Sequence, residues 1–301
     1  MDTLDLSRSG NVEVPNVFKE MLRLKHLSLP DYEKENIGSY RLTLDEGVIE
    51  LESLWQLDSR VHELKCMNKM KDLRRFGARM HDNESLSAMI DAIAIMDKLV
   101  FCSVEIKEGC ELGTNEGVLK KVFTCPNLHF LSIKVNLGKA LVECGRDFMS
   151  SNLRRLLLSE CEIEDDPMEI LGKLPCLVEL FLFRKSFVGE EMTCPSNSFP
   201  RLMKLVLYQL PMLREWKVET RAMPLLSQLQ IIECSRLKMI PDGLLHIIEC
   251  SSLKMIPDGL SGISTLRELI LYGMPELAKR VSASGEDFHK VSHVPSIIIK
   301  N

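Results

Sequence analysis

The segment HKVSH sets His289 and His293 four positions apart. On a helix that spacing would put two imidazoles on one face, as a zinc-dependent peptidase requires. Lys290 stands where such a site needs its glutamate base, and no third ligand is evident, so the pair does not make a metal site. The acidic run EIEDD at 162–166 lacks the fuller oxygen set that calcium takes and reads as a solvated loop. GTNEGVLKK, starting at Gly113, has neither the spacing nor the hydroxyl residue of a phosphate-binding loop, so no ATP or ADP site and no cofactor is expected. The ten cysteines are Cys66, Cys102, Cys110, Cys125, Cys144, Cys161, Cys176, Cys194, Cys234 and Cys250. They form no CxxC pair and no cluster with histidine, the pattern of buried reduced thiols. With no GxSxG and no supported Ser/His/Asp set, the reading is that the chain is not an enzyme.

Composition narrows the class. The 301 residues are 45% hydrophobic and 27% charged, ordinary for a folded protein, and the net charge of −5 gives no drive toward nucleic acid. MDTLDLSRSG has neither a basic leader region nor an apolar one, and MIDAIAIM is broken by Asp91 before it could span a bilayer. The expectation is a soluble cytoplasmic protein.

What organises the chain is a repeat. LxxLxL, with apolar substitutes, recurs as LHFLSI, LRRLLL, LVELFL, LMKLVL, LSQLQI and LRELIL. The middle apolar positions are Leu131, Leu156, Leu180, Leu205 and Leu229, which step along the sequence by 25, 24, 25 and 24. The next, Leu269, follows by a step of 40, which is 16 plus 24. The 16 comes from a stutter: IIECSRLKMIPDGLLH at 231–246 is followed at once by IIECSSLKMIPDGLSG at 247–262. A closed core would be disrupted by such an insertion; an open stack takes it as one short additional coil. Weaker markers stand at Leu4, Leu27, Leu54, Phe76 and Cys102.

The expected fold is therefore an α/β solenoid, a leucine-rich-repeat horseshoe of about twelve coils with a parallel inner sheet and irregular loops and short helices on the convex side. A single repeat domain covers 1–301: irregular over 1–125, regular over 126–275, with a tail at 276–301. In each strand the marker and the residue two further on point inward, and the residues around them point out. Five positions after the marker, Asn136, Cys161, Cys234 and Cys250 fall where the chain turns; the Asn is expected to bond to backbone, the Cys to pack as small buried residues. PDG turns at 241–243 and 257–259 mark the opposite side. NESLSAMIDAIAIMDKL predicts a helix capped by Asn83, with Leu86, Met89, Ile90 and Ile93 on one face.

Three stretches carry a resemblance. They are LDLSRSGNVEVPNVFKEMLRLKHLSLP at the start, FPRLMKLVLYQLPMLREWKVETRAMPLLSQLQIIECSRLKMIPDGL at 199–244, and the closing LRELILYGMPELAKRVSASGEDFHKVSHVPSIII. The chain resembles the leucine-rich-repeat region of plant intracellular disease-resistance proteins, the coiled-coil, nucleotide-binding, leucine-rich-repeat receptors. It departs from them in lacking the phosphate loop of their nucleotide-binding domain, and it opens inside a repeat, as a truncated product or an excised piece would. The resemblance implies a recognition module of innate immunity that binds a pathogen effector, a guarded host protein or a nucleotide-binding domain.

The candidate binding residues are the outward ones. One column reads Leu157, Phe181, Val206, Gln230, His246, Ile270; the next reads Ser159, Phe183, Tyr208, Ile232, Ile248, Tyr272. Phe181, Phe183, Val206, Tyr208, Ile232, Ile270 and Tyr272 form the expected partner-binding patch on the concave surface, where polar residues would be the default. The rival reading is a substrate-selecting leucine-rich-repeat subunit of a ubiquitin ligase, which would need an adaptor-binding segment such as an F-box before the repeats.

Overall fold

A computed structural model describes residues 2–9, 18–32, 41–44, 48–63, 67–93, 95–107, 110, 122, 125–141, 152–238, 245–248, 250, 253 and 268–300. The chain divides into two compact units, 1–135 with 151–153, and 136–150 with 154–301. GTNEGVLKK and both PDG turns lie outside the described residues, as do Cys66 and Cys144.

The first unit holds strands β1 (Thr3–Asp5), β2 (His26–Ser28), β3 (Leu42–Thr43), β4 (Ser53–Asp58), β5 (His62–Glu63), β6 (Arg75–Met80), β7 (Phe101–Ile106) and β8 (Phe130–Lys134). β1, β2, β4, β6, β7 and β8 pair in that order, all parallel. Every weak marker falls in register: Leu4 faces Leu27, then Leu54, Phe76, Cys102 and Leu131. Leu27, Leu54, Phe76, Cys102 and Leu131 are fully buried. Removing a leucine side chain from water contributes about 1.5–3 kcal/mol, so the phase of each strand is held by its marker. β3 and β5 make a separate short parallel pair.

One strand breaks the alternation. The pairing of β4 with β6 matches Leu54 to Phe76 but Leu57, not Gln56, to Ala78. The additional residue is a β-bulge, and Gln56 sits there at φ 59°. The bulge lets both leucines of LWQL point inward.

The second unit repeats the plan with β9 (Arg155–Ser159), β10 (Glu179–Phe183), β11 (Glu191–Cys194), β12 (Lys204–Tyr208), β13 (Glu215–Val218), β14 (Gln228–Ile232), β15 (Leu245–Ile248), β16 (Glu268–Tyr272) and β17 (Ser296–Lys300). Leu156, Leu180, Leu205 and Leu229 align across β9, β10, β12 and β14. The stutter behaves as a coil of its own: β15 pairs with β14 at Ile231↔Ile247, the same place in the two copies, and with β16 at Leu245↔Leu269. The segment 276–301, read above as a tail, contributes a further strand: Leu269 pairs with Ile297, giving β17 a place beside β16.

Each of five strands of this unit, β9, β10, β12, β14 and β16, leaves through the same backbone device. The residue after it, Glu160, Arg184, Gln209, Glu233 or Gly273, has φ between 45° and 67°. Its N–H continues the ladder: Arg184 N donates to Tyr208 O at 2.8 Å, Gln209 N to Ile232 O at 2.9 Å, and Gly273 N to Lys300 O at 3.0 Å. Four of the five residues are not glycine, so the left-handed turn is held by these bonds against its conformational cost. The return segments carry β11 and β13, paired in parallel, and there buried Trp216 donates its Nε1–H to Cys194 Sγ at 3.4 Å.

Helix α1 spans Asn83–Ile93 and buries Leu86, Met89, Ile90 and Ile93, as the pattern predicts. Its cap is Asp82 rather than Asn83: Asp82 Oδ1 accepts the Ser85 N–H at 2.7 Å. Further short helices are α2 (Met168–Leu171), α3 (Pro275–Val281) and α4 (Phe288–Val291). α3 and α4 are joined by Asp287, almost fully buried, which takes Arg280 Nε at 2.7 Å and Lys290 Nζ at 2.9 Å.

Candidate functional site

The outward columns of the second unit stand as the register requires. Phe181 lies level with Leu157 and Val206, and Val206 with Gln230; Phe183 lies level with Ser159 and Tyr208, and Tyr208 with Ile232. Phe181 and Phe183 meet edge to face with ring centroids 5.8 Å apart. Phe183 meets Tyr208 in the same way at 5.6 Å. Three half-buried rings on two neighbouring strands therefore form one cluster, in the geometry that aromatic quadrupoles favour. Lys204 Nζ lies 5.5 Å over the Phe181 ring, a cation–π contact that closes one side. Beside it, the Arg155 guanidinium grips Glu179 with two bonds of 2.7 Å.

Val206 is a correction. It occupies an outward register position yet is only 3% exposed. A short side chain between Phe181 and Gln230 at its own level, and between Lys204 and Tyr208 along its strand, is overtopped by longer neighbours. It packs under the face and offers a partner little. Ile232 and Ile270 are half-buried, and Tyr272 is 40% exposed. Strands β14 and β15 stand between Tyr208 and Tyr272, so three strand spacings, roughly 14 Å, separate them. The patch is thus a compact aromatic cluster with Tyr272 as an outlier.

The first unit carries a second outward cluster that the periodicity did not single out. Phe101 stacks on Phe130 with centroids 3.9 Å apart, and Trp55 meets Phe101 edge-on at 5.0 Å. Trp55 lies over Gly77, where a Cβ would come within 2.4 Å of its Cε3 atom. A signal was available: Phe101 and Phe130 immediately precede the markers Cys102 and Leu131 and stand level with each other. Further along the same strands runs an ionic network. Asp58, 1% exposed, takes two bonds from the Arg60 side chain, at 3.1 and 2.9 Å, and lies 3.4 Å from Arg79. Arg79 also reaches Glu105 at 3.0 Å, and Lys107 and Lys134 reach the same carboxylate at 2.6 and 3.0 Å. Burial pushes Glu105 up, but the bonds from Lys107, Arg79 and Lys134 outweigh it and hold the group at about 2. Burial likewise works against ionised Asp58, and the Arg60 bonds overcome it. His62 is pushed down to about 4 by burial, so its imidazole is neutral at pH 7.

The other candidate residues resolve locally. α4 ends at Val291, so His289 and His293 do not share a helical face; both are exposed. In the acidic run, Glu162 receives the Asn136 Nδ2–H at 2.9 Å. Asp166 departs from the solvated-loop reading: it accepts backbone N–H groups from Met168 at 2.9 Å and Thr193 at 2.6 Å, tying α2 to β11. Asn136 makes the expected bond to backbone, its Oδ1 accepting the Gly138 N–H at 3.1 Å, but it does so from an exposed position, because Val135 and Leu137 on either side of it take the buried places. Cys161, Cys234 and Cys250 do occupy the buried turn, each with its sulfur toward a backbone carbonyl. Cys102, Cys125 and Cys194 are buried as well, whereas Cys110 and Cys176 are only half-buried. Among the described residues, no helix is long and apolar enough to cross a membrane.

Parallel strands in sequential order, each locked by an inward marker that recurs at steps of 22 to 29 apart from the stutter, define a leucine-rich-repeat solenoid. The chain belongs to the leucine-rich-repeat family: the model of a leucine-rich repeat region matches residues 1–256. Its relatives include "Probable disease resistance protein RF9" of Arabidopsis thaliana, 35% identical over 237 residues, 78% of this chain and 21% of that protein. "Disease resistance RPP8-like protein 3" of the same plant is 31% identical over 293 residues, 95% of this chain and 29% of the relative. The chain thus spans less than a third of the length of these relatives. Among solved structures, that of the mouse RP105/MD-1 complex matches with a TM-score of 0.56 at 19% identity, over 94% of this chain and 48% of that one, a likeness of fold.

Proposed function

We propose that the chain is a protein-recognition module of plant innate immunity, similar to the sensor region of a disease-resistance receptor. Its partner is a pathogen effector, a guarded host protein or a nucleotide-binding domain supplied by another chain. The observation that carries this reading is the Phe181–Phe183–Tyr208 cluster, rings half-exposed on outward strand positions where a stack needs none for its core. Aromatic side chains held rigid by their neighbours are the commonest hot spots of protein interfaces, each worth about 2 kcal/mol or more. Relatives named as disease resistance proteins support the setting. The test compares capture by the wild-type chain and by Phe181→Ala with Tyr208→Ala, from infected and uninfected leaf extract. A partner retained by the first and lost by the second, with the double variant still folded, is the expected outcome. Equal capture by both would move the contact off this face.

A further inference from the structure

The duplication places two thiols together in the core, away from the outward face. Cys234 and Cys250 hold the same place in the two copies of the segment. β14 and β15 pair at Ile232↔Ile248, and each cysteine follows its strand by the same two positions. Both are reduced thiols, and both are fully buried. Cys234 Sγ lies 3.6 Å from Ile232 O, and Cys250 Sγ lies 3.8 Å from Ile231 O, so the sulfurs share one ledge of backbone carbonyls. Cys234 Sγ also lies 3.9 Å from Leu207 O, so each sulfur reaches back to the strand of the preceding coil in the same way. In the flanking coils the equivalent places hold buried Leu210 and Met274, which enclose the pair without a competing thiol. Level positions on paired parallel strands stand about 4.8 Å apart. That falls inside the Cα separation, about 4.4–6.8 Å, that a disulfide spans.

We propose that Cys234 and Cys250 are an oxidisable dithiol that closes as a disulfide and staples the two copies of the duplicated segment together. With hydrogen peroxide as oxidant the step balances. Both S–H bonds and the O–O bond break, one S–S bond forms, and the two electrons and two protons leave in two molecules of water. The Cys250 thiol beside it, together with burial, holds the Cys234 thiol well above its ordinary pKa. Little thiolate is present while the coils are closed, so the pair oxidises when this part of the stack opens locally and recloses on the bond. The duplication creates the site: a small buried residue that packs alone in one coil meets its own copy in the next. Cys161, whose turn is followed in the next coil by Ser186, has no thiol above it in this way.

The test oxidises the full chain with hydrogen peroxide in sub-denaturing urea, then unfolds it, blocks the remaining thiols and digests with trypsin. Arg236 and Lys238 lie between the two cysteines, so these emerge on separate peptides that only the bond can join. The expected product is that linked pair, lighter by two hydrogens than its parts, with Cys161 recovered as a blocked thiol. The oxidised chain should melt about 5 °C higher, as closing a loop of this length predicts, and lose the gain on reduction. Cys234→Ser and Cys250→Ala should abolish the linked peptide. Recovery of both cysteines as blocked thiols or separate sulfinic acids, or linkage of either to a different cysteine such as Cys194, would overturn the proposal. The wild-type map decides the matter even where a variant fails to fold.

Discussion

The two units use one strand plan and dress it in different ways. In the second, markers recur at steps of 24 or 25 outside the stutter, and the outward face carries an aromatic cluster. In the first, spacings run from 22 to 29, one strand carries a bulge, and a nearly buried carboxylate, Asp58, anchors an ionic network further along the strands that carry Trp55, Phe101 and Phe130. A marker leucine fixes strand phase through burial alone, so its repetition suffices in the second unit. The first adds charged side chains on the strands themselves to hold irregular coils in place, whereas the buried Asp287 of the second joins α3 to α4 away from its repeated strands, and charge pairs respond to pH where leucines do not.

The sharpest test of that plan separates inward from outward residues on one strand. Leu180→Ala should destabilise the chain by about 2–5 kcal/mol, because it opens a cavity in the stack. Phe181→Ala with Tyr208→Ala should cost distinctly less, since both rings are half-exposed and lose mainly their edge contacts with Phe183. Urea titration of both variants measures the ratio. Equal losses would mean that the cluster is core and that the outward face has no rings to spare for a partner.

The units should also part company in acid. His62 is neutral when folded, with its pKa pushed down to about 4. The unfolded chain binds its proton below about 6.5, so stability falls as pH drops from there toward 4, by roughly 2–3 kcal/mol. His81, pushed down by burial, acts in the same sense. Glu105 has the opposite chemistry and the same outcome: held at about 2, it loses its stabilising contribution as pH falls from about 4.5 toward 2. Melting curves at pH 7 and pH 5 should differ, and His62→Gln should shrink the difference. A pH-independent melting temperature over that interval would remove the buried imidazole from the account.

A smaller effect probes the bulge. Gly77→Ala would thrust a Cβ to within 2.4 Å of the Trp55 ring, so the indole must move or the strand must shift, at about 1–3 kcal/mol. Of the two tryptophans, Trp216 is buried elsewhere, so emission in a Trp216→Phe background reports on Trp55 alone. Unchanged emission would show that the ring does not rest on Gly77.

The marker positions were legible, even at Phe76 and Cys102, because their steps of 22 and 26 keep to the length of a coil. What escaped the sequence was backbone. The leucines of LWQL stand three apart, which plain alternation cannot put on one face, and tertiary packing selects the bulge that brings Leu57 inward. The left-handed exits at Glu160, Arg184 and Gln209 carry no glycine to announce them, because inter-coil hydrogen bonds impose the turn. β17 was missed for a related reason: SIIIK lacks the leucine spacing, and its partner strand β16 lies back across α3 and α4. On the outward face the register of the columns was right, and exposure failed at Val206, which is overtopped by neighbours whose lengths a column does not weigh.

The smallest effect belongs to the largest change. Deleting 247–262 removes one copy of the stutter and brings Leu229 and Leu269 to a step of 24, the period of the coils before them. β16 already pairs with β15 at Leu245↔Leu269, and β15 stands to β14 as a copy of its own kind, so β16 meets an equivalent edge when it pairs with β14 directly. Stability in a stack is close to a sum of coil and neighbour terms, and here one coil and one neighbour term are lost while every other term survives. The melting temperature of the deletion should therefore stay within a few degrees of the parent, with cooperative unfolding intact. A deletion of the same length in the first unit, taken from between Cys102 and Leu131, would bring those markers to a step of 13, too short for a coil, and should abolish folding there. Circular dichroism and thermal melting of the two deletions compare them directly. If removal of 247–262 also destroyed cooperative unfolding, the two copies would not be interchangeable coils, and the repeat arithmetic that places β16 beside β15 would not describe what holds this part of the chain together.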